Sequence, residues 1–208
     1  MKVSTNDMTR RGVLMGGASI LGLAVLGTAF ATTARPALAM TTPQAKALVD
    51  QVVASINQVI NSGRSEPQMI ADFERIFRTY GDVPTIARSA LGPPARSASQ
   101  AQLSAFTEAF SGYIARKYGR RFREFIGGQV VVEGAREAGR YHEVQAVANL
   151  RGMAPFRVSF MVSDRNRFFD MVIEGISLLK SERVEIGSML DRRRGNIDAL
   201  VQDLRRAG

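Results

Sequence analysis

The chain of 208 residues has no cysteine, no tryptophan and a single histidine, His142. Without cysteine there are no disulfides, no thiolate metal ligands, no thiol nucleophile and no lipoprotein anchor. One histidine cannot build a Cys/His zinc cluster. The sequence also lacks a glycine-rich phosphate loop and a Gly-x-Ser-x-Gly nucleophile elbow, which removes two common routes to enzymatic chemistry. It has no long repeat and no low-complexity tract. What remains is enough chain for one ordinary domain with its own core.

The first 39 residues are set apart by composition. Arg10 and Arg11 precede a weakly apolar, glycine-rich run from Gly12 to Phe30, and Ala37-Leu38-Ala39 closes it with a small-x-small cleavage pattern. The run is about as long as a transmembrane helix, so an uncleaved anchor is the competing reading. Five glycines between Gly12 and Gly27 make a poor spanning helix, and the expectation is a signal peptide over 1–39, cleaved after Ala39. Thr9, Arg10, Arg11 and Leu14 resemble a twin-arginine export signal, with Val13 where phenylalanine is usual. The general export route ends in the same compartment, the periplasm.

The formal charge is +9. Residues 1–39 hold Lys2, Arg10, Arg11 and Arg35 against Asp7, which leaves +6 on residues 40–208. Charge alone permits nucleic acid, but an exported protein does not meet it. Anionic lipid headgroups or an acidic partner fit the excess, as does a plainly solvated basic surface.

From Thr42 onward the apolar residues recur at helical spacing. Leu48, Val52, Ile56, Val59 and Ile60 make one stripe, ended by Ser62-Gly63. Met69, Ile70, Phe73, Ile76, Phe77 and Tyr80 make a second, stopped at Gly81. Asp82 to Gly92 reads as a short third helix. A fourth starts near Ser99, with Gln102 placed for a capping box, and runs toward Ile126 with a bend near Gly119. The period then changes to two. Gln129–Ala135, His142–Leu150, Pro155–Ser163 and Arg167–Glu174 read as strands joined by short turns. Helical patterns over Leu178 to about Arg194 and Ile197–Arg206 close the chain. The expected fold class is α+β, a four-stranded antiparallel meander with helices over one face, in a single domain spanning 40–208.

"RFFDMVIEGISLL", Arg167 to Leu179, holds two acids in an apolar run. In regular strand Asp170 and Glu174 stand about 13 Å apart, at ~3.3 Å per residue. Paired glycosidase carboxylates need roughly 5–9.5 Å. The spacing therefore argues against an acid/base dyad. Strand parity places Phe168, Asp170, Val172 and Glu174 on one face and Phe169, Met171 and Ile173 on the other. Asp170 is then expected to be paired with a basic group, to cap backbone amides or to be solvated. No catalytic residue and no metal ligand is assigned. The apolar inventory offers an alternative to catalysis: large aromatic residues on the helices face small ones, Ala146 and Ala148, on one strand face. That arrangement gives either a filled core or an internal gap.

Several blocks together resemble the MlaC family, the periplasmic phospholipid-binding proteins also known as the toluene-tolerance auxiliary family. These are Ile86–Gly92 ("IARSALG"), Ser99–Phe122, Phe168–Leu190 and Gly195–Leu204. Asp170, Glu174, Gly175 and Ser177 match its acid–spacer–Glu-Gly-x-Ser signature. The resemblance runs from about Ala45 to Leu204. Two positions depart from it. Pro93-Pro94-Ala95 stands where aromatic residues often follow the Leu-Gly pair, and Asn166-Arg167 stands where a tryptophan often enters the last strand.

The resemblance implies a soluble carrier holding phospholipid acyl chains in a cavity between sheet and helices. It implies partners at both membranes: an outer-membrane lipoprotein–porin complex and an inner-membrane ABC transporter with an MCE-domain protein. The implied ligand is phospholipid as cargo, with no cofactor. Periodicity combined with that cavity gives the candidate lipid-binding residues Phe73, Phe77, Phe106, Phe110, Val144, Ala146, Ala148, Phe156, Val158, Phe160 and Val172. Two readings compete with the carrier: a periplasmic α+β enzyme using Asp170 or His142 as base, and a ligand-free adaptor with a filled core.

Overall fold

The computed structural model describes residues 40–208, and the expected signal peptide of residues 1–39 lies outside them. Six α-helices and five strands follow in chain order among the described residues. They are α1 (Thr42–Ile60), α2 (Glu66–Tyr80), α3 (Val83–Leu91), α4 (Gln100–Gly119), β1 (Gln129–Glu137), β2 (Tyr141–Asn149), β3 (Phe156–Ser163), β4 (Arg167–Ile173), β5 (Ile176–Ser177), α5 (Leu178–Arg192) and α6 (Ile197–Arg206). Two 3-10 segments, Pro93–Arg96 and Arg120–Phe125, extend α3 and α4.

Polar side chains start the helices where the sequence places them. Thr41, Ser65 and Ser99 each form a capping box with a glutamine three residues on, satisfying amides that have no partner inside the helix. Asp82, Ser177 and Asn196 cap α3, α5 and α6. The long fourth helical pattern changes character after Gly119, where α4 gives way to a 3-10 segment. A Cβ on Gly119 would stand 3.1 Å from the Ile70 backbone, so glycine lets α4 lie tightly on α2.

The sheet is an antiparallel meander in the order β1-β2-β3-β4-β5. The fifth strand corrects the expected four and is only two residues long. Glu174 and Gly175, both with positive φ, form the two-residue turn that joins it to β4. That is the backbone a type I′ hairpin turn requires, and it ends β4 at Ile173 rather than Glu174.

Helices cover one face. His142, Val144, Ala146 and Ala148 are buried, as are Val158, Phe160 and Val162, while the residues between them are more open. Helix α1 packs over β1 and β2. β1 is an edge strand, and Asn57 of α1 serves its free edge. The Asn57 amide donates to Val130 O and its carbonyl accepts from Val130 N, each at 2.9 Å. Asn57→Leu strands both groups and is expected to lower stability by about 1–2 kcal/mol, read as a shift in the urea midpoint without a change in slope.

His142 has a structural position. Its Nε2 lies 2.9 Å from Met40 O, a carbonyl that can only accept. Nε2 therefore carries the proton, and Nδ1 accepts from Thr42 Oγ1 at 3.2 Å. Both nitrogens hold the start of α1 to the sheet, and neither is free for proton transfer.

Candidate functional site

A cavity of about 360 Å³ lies between the helices and the β3–β5 end of the sheet. Its volume falls within the ~300–1,000 Å³ range of small-molecule sites. Helix α2 supplies Phe73, Ile76 and Phe77, and α4 supplies Phe110, Ile114 and Tyr118. Val52 and Ile56 of α1 and Ile86 of α3 complete the helical wall. The sheet contributes Phe160, Phe168, Phe169, Met171 and Ile173, and the first turn of α5 adds Leu178 and Leu179. Exposed Ile176 and Arg121 also belong to the wall, so the cavity opens to solvent beside these two side chains.

The strand that carries the two acids is not regular. Val162 faces Phe168 across the ladder and Met161 faces Asp170, which leaves Phe169 as an extra, bulged residue. The bulge reverses the parity of everything before it. Phe168 therefore joins Met171 and Ile173 on the cavity side instead of sharing a face with Asp170 and Val172, contrary to the alternation expected from sequence. Phe168 packs edge-on against Phe160 and tilted against Phe77, joining sheet to α2.

Asp170 is satisfied locally. Its carboxylate accepts from Ser177 Oγ at 2.6 Å and from Leu179 N at 3.0 Å, fixing the first turn of α5. Ser177 Oγ in turn accepts from Lys180 N. Glu174 accepts from Arg157 N, which locks the β4–β5 turn onto β3. Each acid is thus bound to backbone amides, and the two share no reacting centre. Among the described residues no cluster of acids and histidine has the makings of a metal site.

The second acid of the wall, Glu182, belongs to a polar group bridging α4 and α5. Its Oε1 accepts from Lys117 Nζ at 2.7 Å and from the Tyr118 hydroxyl at 2.6 Å. Lys117 also pairs with Glu185, which takes the Tyr113 hydroxyl at 2.7 Å. Burial pushes the Tyr113 and Tyr118 hydroxyls well above their ordinary range, and the neighbouring carboxylates push the same way. Burial alone would lower Lys117, but the bonds with Glu182 and Glu185 outweigh it and hold the ammonium raised. Glu185 is held low, chiefly by its bond with Lys117.

These shifts set a pH window. A depressed carboxylate contributes stability above the unfolded range near ~4.3 and loses it as pH falls through its folded value. The raised lysine and tyrosines contribute fully below about pH 10 and lose it as pH rises beyond that. The melting temperature is expected to decline on both sides, and Glu185→Gln should remove part of the acid decline. Since Glu185 is about half exposed, that part is under ~1 kcal/mol.

Of the residues expected to bind lipid, Phe73, Phe77, Phe110 and Phe160 line the cavity. The other seven are not part of its wall. Phe106 is fully buried and stacks on Phe110 from behind, with ring centroids 5.7 Å apart. Val144, Ala146 and Ala148 lie in the region of the sheet where α1 packs. There the small alanines make room for a helix. Val158 is buried opposite Ile173, half-buried Phe156 starts β3, and Val172 sits on the alternate side of β4 from Met171 and Ile173. Residues around the Phe169 bulge and in the first turn of α5 were not among the expected ones. Their signal is the apolar run Phe168–Leu179, from which regular strand parity yields Val172 alone.

A family model described as MlaC protein matches residues 46–206. No curated protein matches the chain significantly. Among solved structures, a phospholipid-binding protein from Ralstonia solanacearum, determined in complex with a phospholipid, has a similar fold. The TM-score is 0.67 at 19% identity, covering 78% of this chain and 95% of that one.

Proposed function

The chain belongs to the MlaC family, and from that premise we propose that it is a carrier of phospholipid between membranes. The observation that supports this most is the cavity, walled mainly by phenylalanines and aliphatic residues, with Asp170 and Glu182 Oε1 bonded to protein partners. Such a wall suits the storage of apolar chains. An acyl chain of about fifteen methylenes costs on the order of 12 kcal/mol when left in water, and the cavity removes that cost without any reaction. The similar Ralstonia fold, which holds a phospholipid, supports the same reading.

The finer reading follows the family. The carrier works in the periplasm, loading and unloading at an outer-membrane lipoprotein–porin complex and at an inner-membrane MCE-domain ABC transporter. Residues 1–39 direct export and are removed. No helix among the described residues is long and apolar enough to cross a membrane, in keeping with a diffusing carrier. The protein is not an enzyme and binds no nucleic acid; phospholipid is its cargo, with no cofactor. Native mass spectrometry of the purified protein tests this. Bound phospholipid, or its uptake from liposomes by lipid-stripped protein, is the expected result. Repeatedly lipid-free protein that takes up nothing would sink the proposal.

A further inference from the structure

Among the described residues three charged side chains border the cavity: Arg121, Asp170 and Glu182. Asp170 is held by Ser177 and the Leu179 amide, and Glu182 Oε1 by Lys117 and Tyr118, while Glu182 Oε2 is buried without a hydrogen-bond partner. Arg121 differs. Its guanidinium makes one ion pair, to Glu124 at 3.7 Å, with both side chains 60% exposed, and no hydrogen bond to another described residue. A pair of that kind, long and solvated, contributes little and is readily replaced. Arg121 is also both part of the wall and open to solvent, so it stands at the mouth.

We propose that Arg121 holds the phosphate of the bound lipid, and that this contact distinguishes phospholipids from neutral lipids with the same chains. The proposal rests on the carrier reading and adds a specificity residue to it. A guanidinium offers several donors in one plane and binds phosphate oxygens in pairs. At the mouth it can do so while the acyl chains are inside and the rest of the headgroup stays in water. Nothing in the wall then selects what is esterified beyond the phosphate. The nearby Arg123 is a natural control. It lies in the same 3-10 segment, is similarly exposed and is paired with Glu66, but does not border the cavity.

The test uses lipid-stripped protein and vesicles containing phosphatidylglycerol, phosphatidylcholine and diacylglycerol with identical chains. Lipid retained is counted by native mass spectrometry. The wild type should retain both phospholipids alike and prefer them to diacylglycerol by about tenfold, the size of a hydrogen bond to a charged group. Arg121→Gln should lower phospholipid retention to the diacylglycerol level and leave diacylglycerol unchanged. Arg123→Gln, with the same loss of charge, should behave as wild type. Inorganic phosphate, which has no chains, should not displace the lipid. The assignment is overturned if Arg121→Gln keeps the preference or if Arg123→Gln loses it equally. It is also overturned if inorganic phosphate abolishes the preference, which would mark a site for free anions. A wild type that takes up none of the three lipids overturns the carrier reading, and this inference with it.

Discussion

Leu179→Trp is expected to weaken phospholipid retention on the order of a hundredfold while leaving the protein folded. Leu179 is half-buried in the first turn of α5 and lines the cavity. Its structural bond is made by the backbone amide, which donates to Asp170 whatever the side chain. The larger ring therefore has space to enter without disturbing the cap. Overpacking a filled core costs ~1–3 kcal/mol, but here the added volume goes into an open cavity. If the indole displaces about four methylenes of the cargo at ~0.8 kcal/mol each, the loss is near 3 kcal/mol, which gives the stated factor. Retained lipid per chain measures it, with the melting temperature as the control for folding. Undiminished retention would mean that lipid sits elsewhere.

Asp170→Ala should act on stability instead. It removes the acceptor for the Leu179 amide and for Ser177 Oγ together, at the point where β5 turns into α5. Loss of a helix-start acceptor and a stranded hydroxyl amount to about 2–3 kcal/mol, or roughly 4–12 °C in melting temperature for a domain of this size. The variant that stays folded at low temperature should still retain phospholipid, because Asp170 makes no contact the cargo needs. An enzyme using Asp170 as base would show the reverse, lost activity at undiminished stability. Asp170→Asn keeps an oxygen for the Leu179 amide and should fall between alanine and wild type.

These two variants also mark how far the sequence carries. Helix periods locate five of the six helices among the described residues to within a residue or two, and the Ile197–Arg206 boundaries of α6 agree with the expectation, whereas the fourth, expected to run toward Ile126, ends as an α-helix at Gly119. Strand alternation identifies which face of β2 and β3 is buried. It does not say what lies against that face. Ala146 and Ala148 look the same in sequence whether they meet a lipid or a helix, and long-range packing of α1 decides the matter. The site shifts toward β4 for the same reason. One bulged residue, Phe169, turns Phe168 toward the cavity, and a bulge leaves no mark in a run of consecutive apolar residues. For the acids of the Asp170–Ser177 stretch, spacing argues against a dyad, and pairing, capping and solvation stay open in the sequence. Their partners are not legible there, because a backbone amide carries no sequence signature. The polar link between Tyr113, Lys117, Tyr118, Glu182 and Glu185 joins positions some 65 residues apart and was equally hidden.

The central claim is that this chain buries the acyl chains of a phospholipid between α2, α4, α5 and the bulged strand. Photocrosslinking from the chain end tests it most directly. Lipid-stripped protein is loaded from vesicles with a phospholipid bearing a diazirine near the end of one acyl chain, irradiated, and digested for mass spectrometry. Adducts are expected on wall residues such as Phe77, Phe110, Phe160 or Met171. Adducts confined to exposed apolar residues outside the wall, such as Val184 or Val131, would contradict it.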